Sequence, residues 1–154
     1  MRIKDTIPHT VTNIICLLQL IGIVIYLIIA WNNIPEQIPA HFDASGAVTR
    51  YGNKNTLFTM TIIAWISFAL MSLIERFPQI WNTGVRVTEE NKFRVYRIIK
   101  SLLLVTKLMM VTMFVYITIM QSLSRNVHAW FMPLFIFMFV GESAYFIVKL
   151  IRAR

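Results

Sequence analysis

The chain has 154 residues, of which 57% are hydrophobic and only 14% are charged, and its mean hydropathy is +0.65. Average soluble chains carry roughly 25% charged residues, so this composition argues against a water-soluble globular protein. The net charge is +8, and most of the basic residues lie at the termini or between apolar stretches, which favours membrane topology over nucleic-acid binding. We therefore predict an integral membrane protein with the lipid bilayer as its surroundings, and no nucleic-acid partner or cofactor.

Four apolar segments are long enough to cross a bilayer as helices. The first follows the positively charged N-terminus, but it is longer than the apolar core of a signal peptide and ends at the interfacial residue Trp31. Pro78 marks the end of the second, and Pro133 lies in the first turns of the fourth. The predicted spans are residues 13–31, 57–74, 101–121 and 128–149. We expect a single all-α membrane domain over residues 1–154, a four-helix antiparallel bundle.

The distribution of Lys and Arg predicts the orientation of this bundle. Eleven of the 15 Lys and Arg residues lie at the termini or in the loop of residues 75–100. The opposite side holds only Arg50, Lys54 and Arg125. The positive-inside rule places both termini in the cytoplasm and the loop of residues 32–56 outside. Within the inner loop, Thr88 is the expected N-cap of a short surface helix that runs into the third span.

The outer loop, Ile34 to Lys54, is rich in turn-forming residues. Asp43 and Gly46 fit the first and fourth positions of a type I turn, and the residues that follow favour a strand. We predict a small β-hairpin in which residues 41–42 return along residues 48–51. Because an isolated hairpin is only marginally stable, it should lie on the helix ends, with Phe42 and Tyr51 as its apolar anchors.

Two charged residues, Lys107 and Glu142, lie away from the ends of the predicted spans. Charged groups within a bilayer usually face the bundle interior and pair. Each residue lies seven positions, or about 10 Å, from the inner end of its span, so they are level on neighbouring helices. We predict a Lys107–Glu142 ion pair, with Gln19 at a similar depth completing a polar cluster. Helix-to-helix packing is the preferred role, and a proton or ion relay is the alternative.

A metal or catalytic site at the outer loop is the less favoured interpretation of His41, Asp43 and His128. These residues offer nitrogen and oxygen ligands. However, the sequence contains no HxxxH, HExxH or CxxC motif, which disfavours a metalloenzyme. We expect no bound metal, a structural role for His41, and a turn-forming role for Asp43.

The outer loop resembles the signature P-x-x-I-P-x-H-F-(N/D)-x-x-G-x-x-x-x-x-G-x-K of an uncharacterised bacterial membrane domain. The matching positions are Pro35, Ile38, Pro39, His41, Phe42, Asp43, Gly46, Gly52 and Lys54. The same domain begins the longer immunity protein against the sporulation-delaying toxin. The resemblance implies a multi-pass protein of the bacterial cytoplasmic membrane and leaves its activity open.

Three functional hypotheses follow. The first is a non-enzymatic membrane protein that recognises a peptide or a membrane-protein partner through the outer loop, for toxin immunity or envelope signalling. The second is a small ion-coupled carrier that uses Lys107 and Glu142, and four helices would then have to assemble as a homo-oligomer. The third is the metal-dependent enzyme. We rank them in this order.

Overall fold

The computed structural model describes residues 5–154 and consists of four long helices and one hairpin. The elements are α1 (Ile7–Ala30), β1 (Gln37–Phe42), β2 (Val48–Asn53), α2 (Thr56–Ile74), α3 (Lys92–Ser122) and α4 (Phe131–Arg152). Single 3-10 turns follow α1 at Trp31–Asn33 and α2 at Pro78–Ile80. Arg2 and Lys4, which entered the predicted charge count, lie outside the described residues.

All four helices are long and apolar enough to cross a membrane, and each contains most of one predicted span. The first helix starts at Ile7, earlier than expected. Pro8 lies in its first turn, where the missing amide proton of proline does not interrupt the helix. The third is one continuous helix of 31 residues, about 46 Å long. The predicted surface helix is therefore the first part of α3. Its N-cap is Asn91 and not Thr88 as predicted, although these two residues exchange backbone-to-side-chain hydrogen bonds just before the helix begins.

Helix α3 contacts the other three helices, and the helix directions alternate along the chain. Tyr26 Oη lies 3.0 Å from Ser122 Oγ, so the C-terminal ends of α1 and α3 lie together. By contrast, the end of α2 at Glu75 contacts the first half of α3 at Lys107. Ala153, just after α4, packs near the start of α3. The bundle therefore has a hairpin end and an opposite end, the loop end, where the α2–α3 loop lies.

Three small apolar clusters form the interior along the bundle. Their buried members are, from hairpin end to loop end, Ile23, Leu27, Ile34, Ile38 and Leu57; Cys16, Leu20, Ala64 and Val111; and Val95, Ile99 and Ala153. Much of the outer surface is also apolar, and Phe137 on α4 is 75% exposed. Apolar area of this extent is unfavourable in water. The helices are therefore suited to a lipid environment.

The predicted hairpin is present, but its anchors differ from those expected. β1 and β2 pair antiparallel, with Phe42 opposite Val48. Tyr51 is 59% exposed, so its predicted role as an apolar anchor is wrong, whereas Phe42 is partly buried. Ile38 and Pro39 are buried instead. The physical reason is that β1 lies against α3 while β2 forms the outer edge, so the burial follows the strand and not the aromatic residues.

Gly46 ties the hairpin turn to the α3–α4 loop. Its carbonyl accepts a hydrogen bond of 2.9 Å from the Val127 amide. Its φ of +83° is in the region that favours glycine. A Cβ built at this position would lie 2.1 Å from the Val127 carbonyl oxygen. Only glycine therefore allows both this turn and this close approach.

We expect Gly46→Ala to lower the free energy of unfolding in detergent by about 2–4 kcal/mol, combining backbone strain with the collision at Val127. Gly84→Ala is the matched control, because Gly84 also has a positive φ but open space around it. It should cost only about 1 kcal/mol. Equal losses in the two variants would contradict the Gly46–Val127 contact.

Candidate functional site

Lys54 connects the base of the hairpin with the end of α1 through two side-chain contacts. Its Nζ lies 2.8 Å from Glu36 Oε1 and 4.9 Å from the centroid of the Trp31 ring. Its amide also donates a 3.0 Å hydrogen bond to the Glu36 carbonyl. An ammonium group over a tryptophan face is attracted by the ring quadrupole. Lys54 thus has a structural role that the sequence alone did not show.

Asp43 organises the hairpin turn. Its Oδ1 accepts hydrogen bonds from the Ser45 amide at 2.8 Å, the Ser45 hydroxyl at 2.6 Å and the Ala47 amide at 3.0 Å. These bonds favour the ionised form, and they hold the pKa of the Asp43 carboxyl below its usual value, with the Ser45 hydroxyl as the largest cause. This geometry accounts for Asp43 at the first position of the predicted turn.

The two histidines near the hairpin end bind different hydroxyl groups. His41 Nδ1 lies 2.7 Å from Thr49 Oγ1 across the hairpin. His128 Nδ1 lies 2.6 Å from Tyr116 Oη on α3. Within residues 5–154, no three His, Cys, Asp or Glu side chains are grouped closely enough to hold a metal ion. His41, Asp43 and His128 are therefore not brought together as the metal-site interpretation requires.

A small cavity, the hairpin pocket, lies between the hairpin and the helix ends. Its volume is about 210 Å³. The hairpin contributes Ala40, His41, Phe42, Asp43 and Gly46, and the helices and the α3–α4 loop contribute Met60, Ile117, Gln121, Val127 and Met132. Gln121 is 1% exposed, and its Oε1 has no hydrogen-bond partner among the described residues. The pocket thus combines an apolar wall with an unused buried acceptor.

The remaining motif residues are explained by the shape of the hairpin. Pro39 is buried under the sheet, whereas Pro35 is exposed before β1 begins. A Cβ on Gly52 would lie 3.0 Å from that of Ala40, so glycine lets the two strands approach closely here. Of the predicted loop residues, His41 and Asp43 are the polar ones that also line the hairpin pocket.

A buried ion pair joins α2 and α3 in the loop-end half of the bundle. The Lys107 side chain is 0% exposed, and its Nζ donates to Glu75 Oε2 at 2.8 Å and to Ser72 Oγ at 3.3 Å. The ammonium group also lies 5.3 Å from the centroid of the Phe68 ring. Lys107 is therefore directed into the bundle interior and paired there.

The predicted Lys107–Glu142 pair is wrong, although the two residues lie at a similar level. Thr106, next to Lys107, donates a 3.1 Å hydrogen bond to Glu142 Oε1. Successive helical residues are rotated by about 100°, so Thr106 faces α4 while Lys107 faces α2. Gln19 accepts a bond of 3.1 Å from Thr112, so Gln19, Lys107 and Glu142 do not form one cluster.

Sequence reasoning missed Glu75 and Gln121. Glu75 directly follows the second span, and no motif in the sequence distinguishes it. Its position alone indicates the pairing, because in an antiparallel pair the end of α2 must lie beside the first half of α3, where Lys107 lies. Gln121 ends the predicted third span and carries no distinguishing pattern in the sequence. Only the packing of the hairpin over α3 makes its side chain part of a pocket.

Residues 18–65 match a family model described as a domain of unknown function (DUF1648). The matched range runs from the middle of α1 through both strands to the middle of α2, so the chain is similar to an uncharacterised domain family over its hairpin and the helices that carry it. No curated protein and no solved structure matches the chain. The hairpin is therefore the part of the fold that the comparison selects.

We expect Lys107→Met to lower the free energy of unfolding by about 3 kcal/mol, because it leaves the Glu75 carboxylate buried without its cation. Adding Glu75→Gln should restore most of this loss. Unfolding measurements in a double-mutant cycle isolate the coupling between the two positions. The parallel cycle of Lys107→Met with Glu142→Gln serves as the control and should be additive. Coupling to Glu142 instead of Glu75 would refute the observed pairing.

The lowered pKa of Asp43 predicts a pH dependence of the hairpin turn. The stabilisation is complete above the ordinary carboxyl pKa near 3.8 and is lost as the pH falls through the lower folded-state value. The protection factor of the Ala47 amide, which is the exchange rate corrected for the intrinsic rate at each pH, should therefore fall in this acidic range. Asp43→Asn keeps an acceptor oxygen that does not titrate, so it should remove this pH dependence. An unchanged profile in Asp43→Asn would refute the assignment.

Proposed function

We propose that this chain is a non-enzymatic, multi-pass protein of the cytoplasmic membrane that recognises an extracytoplasmic peptide at its hairpin end. The observation that carries the proposal is the hairpin pocket, which is lined by His41 and Asp43 and in which the buried Gln121 Oε1 has no donor within residues 5–154. A peptide supplies such donors through its backbone amides. Defence of the envelope against a membrane-active peptide is the cellular role that fits this proposal best.

Charge supports an external position for the hairpin. At the loop end and the C-terminus, the described basic residues are Arg76, Arg86, Lys92, Arg94, Arg97, Lys100, Lys149, Arg152 and Arg154. Among the basic residues that the structure describes, only Arg50, Lys54 and Arg125 lie at the hairpin end. By the positive-inside rule, the loop end faces the cytoplasm and both termini lie there. Trp31 at the hairpin end and Trp81 at the loop end suit the two membrane interfaces.

The size of the hairpin pocket favours a peptide over a free small molecule. Typical small-molecule sites measure roughly 300–1,000 Å³, and this pocket measures about 210 Å³. It is suited to one inserted side chain, while the rest of a peptide lies outside it. Met60 and Met132 in the wall are flexible and adapt to different apolar groups.

The exposed strand β2 supplies a second contact surface. Thr49, Arg50 and Tyr51 are all exposed on it. Tyrosine and arginine are enriched among residues that dominate binding energy. The outer edge of a two-stranded sheet also has backbone groups to which an extended peptide can add. Contact through β2 together with one side chain in the pocket would give both affinity and selectivity.

Photo-crosslinking in intact cells tests this proposal together with the orientation. A photoreactive residue at position 44, an exposed alanine in the hairpin turn, should capture an added peptide from a panel of membrane-active peptides, because the proposal places this turn outside. The same residue at position 86, in the opposite loop, should capture none. Gln121→Leu should reduce capture about tenfold, since it removes the buried acceptor.

Leu123→Ala, at an exposed position one residue beyond α3, is the control and should leave capture unchanged. Deletion of the gene should raise sensitivity to the captured peptide, and Gln121→Leu should not restore resistance. No capture at position 44, together with unchanged sensitivity of the deletion strain, would overturn the proposal.

A further inference from the structure

A second, larger cavity, the loop-end cavity, lies between α1 and α2 at the opposite end of the bundle. Its volume is about 690 Å³, which is within the range of small-molecule sites. Its lining contains acidic and basic side chains, Asp5, Glu75, Arg76 and Lys100, beside the apolar Leu17 and Phe68. This mixed lining distinguishes the loop-end cavity from the mainly apolar hairpin pocket. The proposed function does not involve the loop-end cavity.

Two buried oxygens in this lining lack a hydrogen-bond donor among the described residues. They are Glu75 Oε1 and Asn13 Oδ1. The other oxygen of Glu75, Oε2, already accepts from Lys107, and the Glu75 side chain is only 9% exposed. A buried acceptor without a donor costs the protein its full desolvation penalty. A carboxylate oxygen and an amide oxygen at one cavity together suit a ligand group with several N–H donors and a positive charge.

The lining also contains a positively charged side chain, that of Arg76. Arg76 lines the same cavity, is exposed, and forms no ion pair within the described part of the chain. Lys100, also in the lining, is paired with Asp5. A guanidinium group recognises phosphate or carboxylate through a fork of donors. The cavity therefore offers acceptors for a cationic group and a donor for an anionic group.

We propose that the loop-end cavity binds a small zwitterion that carries a primary ammonium group and an anionic group. The ammonium group donates to Glu75 Oε1 and Asn13 Oδ1, and the anionic group binds Arg76. A singly charged ligand satisfies only half of this lining. Two sources have this chemistry: an aminoethyl phosphate headgroup of a bilayer lipid, which reaches the cavity between α1 and α2, or a free molecule of the same type.

Calorimetric titration of the full-length protein in lipid nanodiscs tests the proposal with phosphoethanolamine as the probe. It should bind at least tenfold more tightly than ethanolamine or inorganic phosphate alone. Native mass spectrometry in mixed phosphatidylethanolamine and phosphatidylglycerol tests the lipid source. Binding of free phosphoethanolamine without lipid enrichment assigns a soluble ligand, and enrichment of phosphatidylethanolamine assigns the lipid.

The decisive variants are Asn13→Ala and Arg76→Gln, since neither residue takes part in the Lys107–Glu75 pair. Each should weaken the observed binding about tenfold. Arg94→Gln, an exposed position on α3 away from the cavity, should leave it unchanged. The proposal is overturned if neither phosphoethanolamine nor phosphatidylethanolamine binds selectively. It is equally overturned if both variants bind the probe as tightly as the parent protein does. The same holds if phosphate alone or ethanolamine alone binds as tightly as phosphoethanolamine.

Discussion

The buried ion pair between Lys107 and Glu75 is the interaction on which the arrangement of the helices depends. Apolar side chains on one helix can slide past those on another at little cost in lipid, because tails and side chains are equally apolar. An ammonium group within a bilayer has far fewer acceptable positions. Lys107 must meet its carboxylate, and this requirement sets how α2 lies along α3. The register at the loop end then extends along α2 toward the hairpin.

The hairpin end depends on that register, because α2 begins directly after β2. Leu57, in the first turn of α2, is fully buried against Ile34 and Ile38 of the hairpin segment. Lys54 and Glu36 close the base of the hairpin, and Gly46 joins its tip to Val127. A two-stranded hairpin is marginal by itself. Here it is held at its base, its inner strand and its tip, so a peptide would meet a surface that is already ordered.

The two cavities differ in a way that suggests separate roles. The hairpin pocket is small, mainly apolar and closed by the hairpin, whereas the loop-end cavity is larger and lined by charges. Glu75 links the loop-end cavity to the ion pair. Its Oε2 binds Lys107, and its Oε1 has no hydrogen-bond donor among the described residues. A ligand at the loop end would therefore act on the same carboxylate that fixes α2 against α3.

The sequence by itself determined the four apolar helices, the position of the hairpin and its turn at Asp43–Gly46. These features follow from local quantities: the length of an apolar run, the placement of proline, and the turn preferences of Asp and Gly. The depth of Lys107 and Glu142 was also accessible, because depth is a count of residues along an axis.

The tertiary structure decided which side chains meet. Partner choice depends on the direction of a side chain around its helix, and a change of one residue rotates that direction by about 100°. Thr106 therefore took the contact with Glu142 that was expected of Lys107. In the same way, packing of β1 against α3 buried Ile38 and left Tyr51 exposed. The unused acceptors of Gln121 and Glu75 arise from packing between segments far apart in sequence, and no local pattern encodes them.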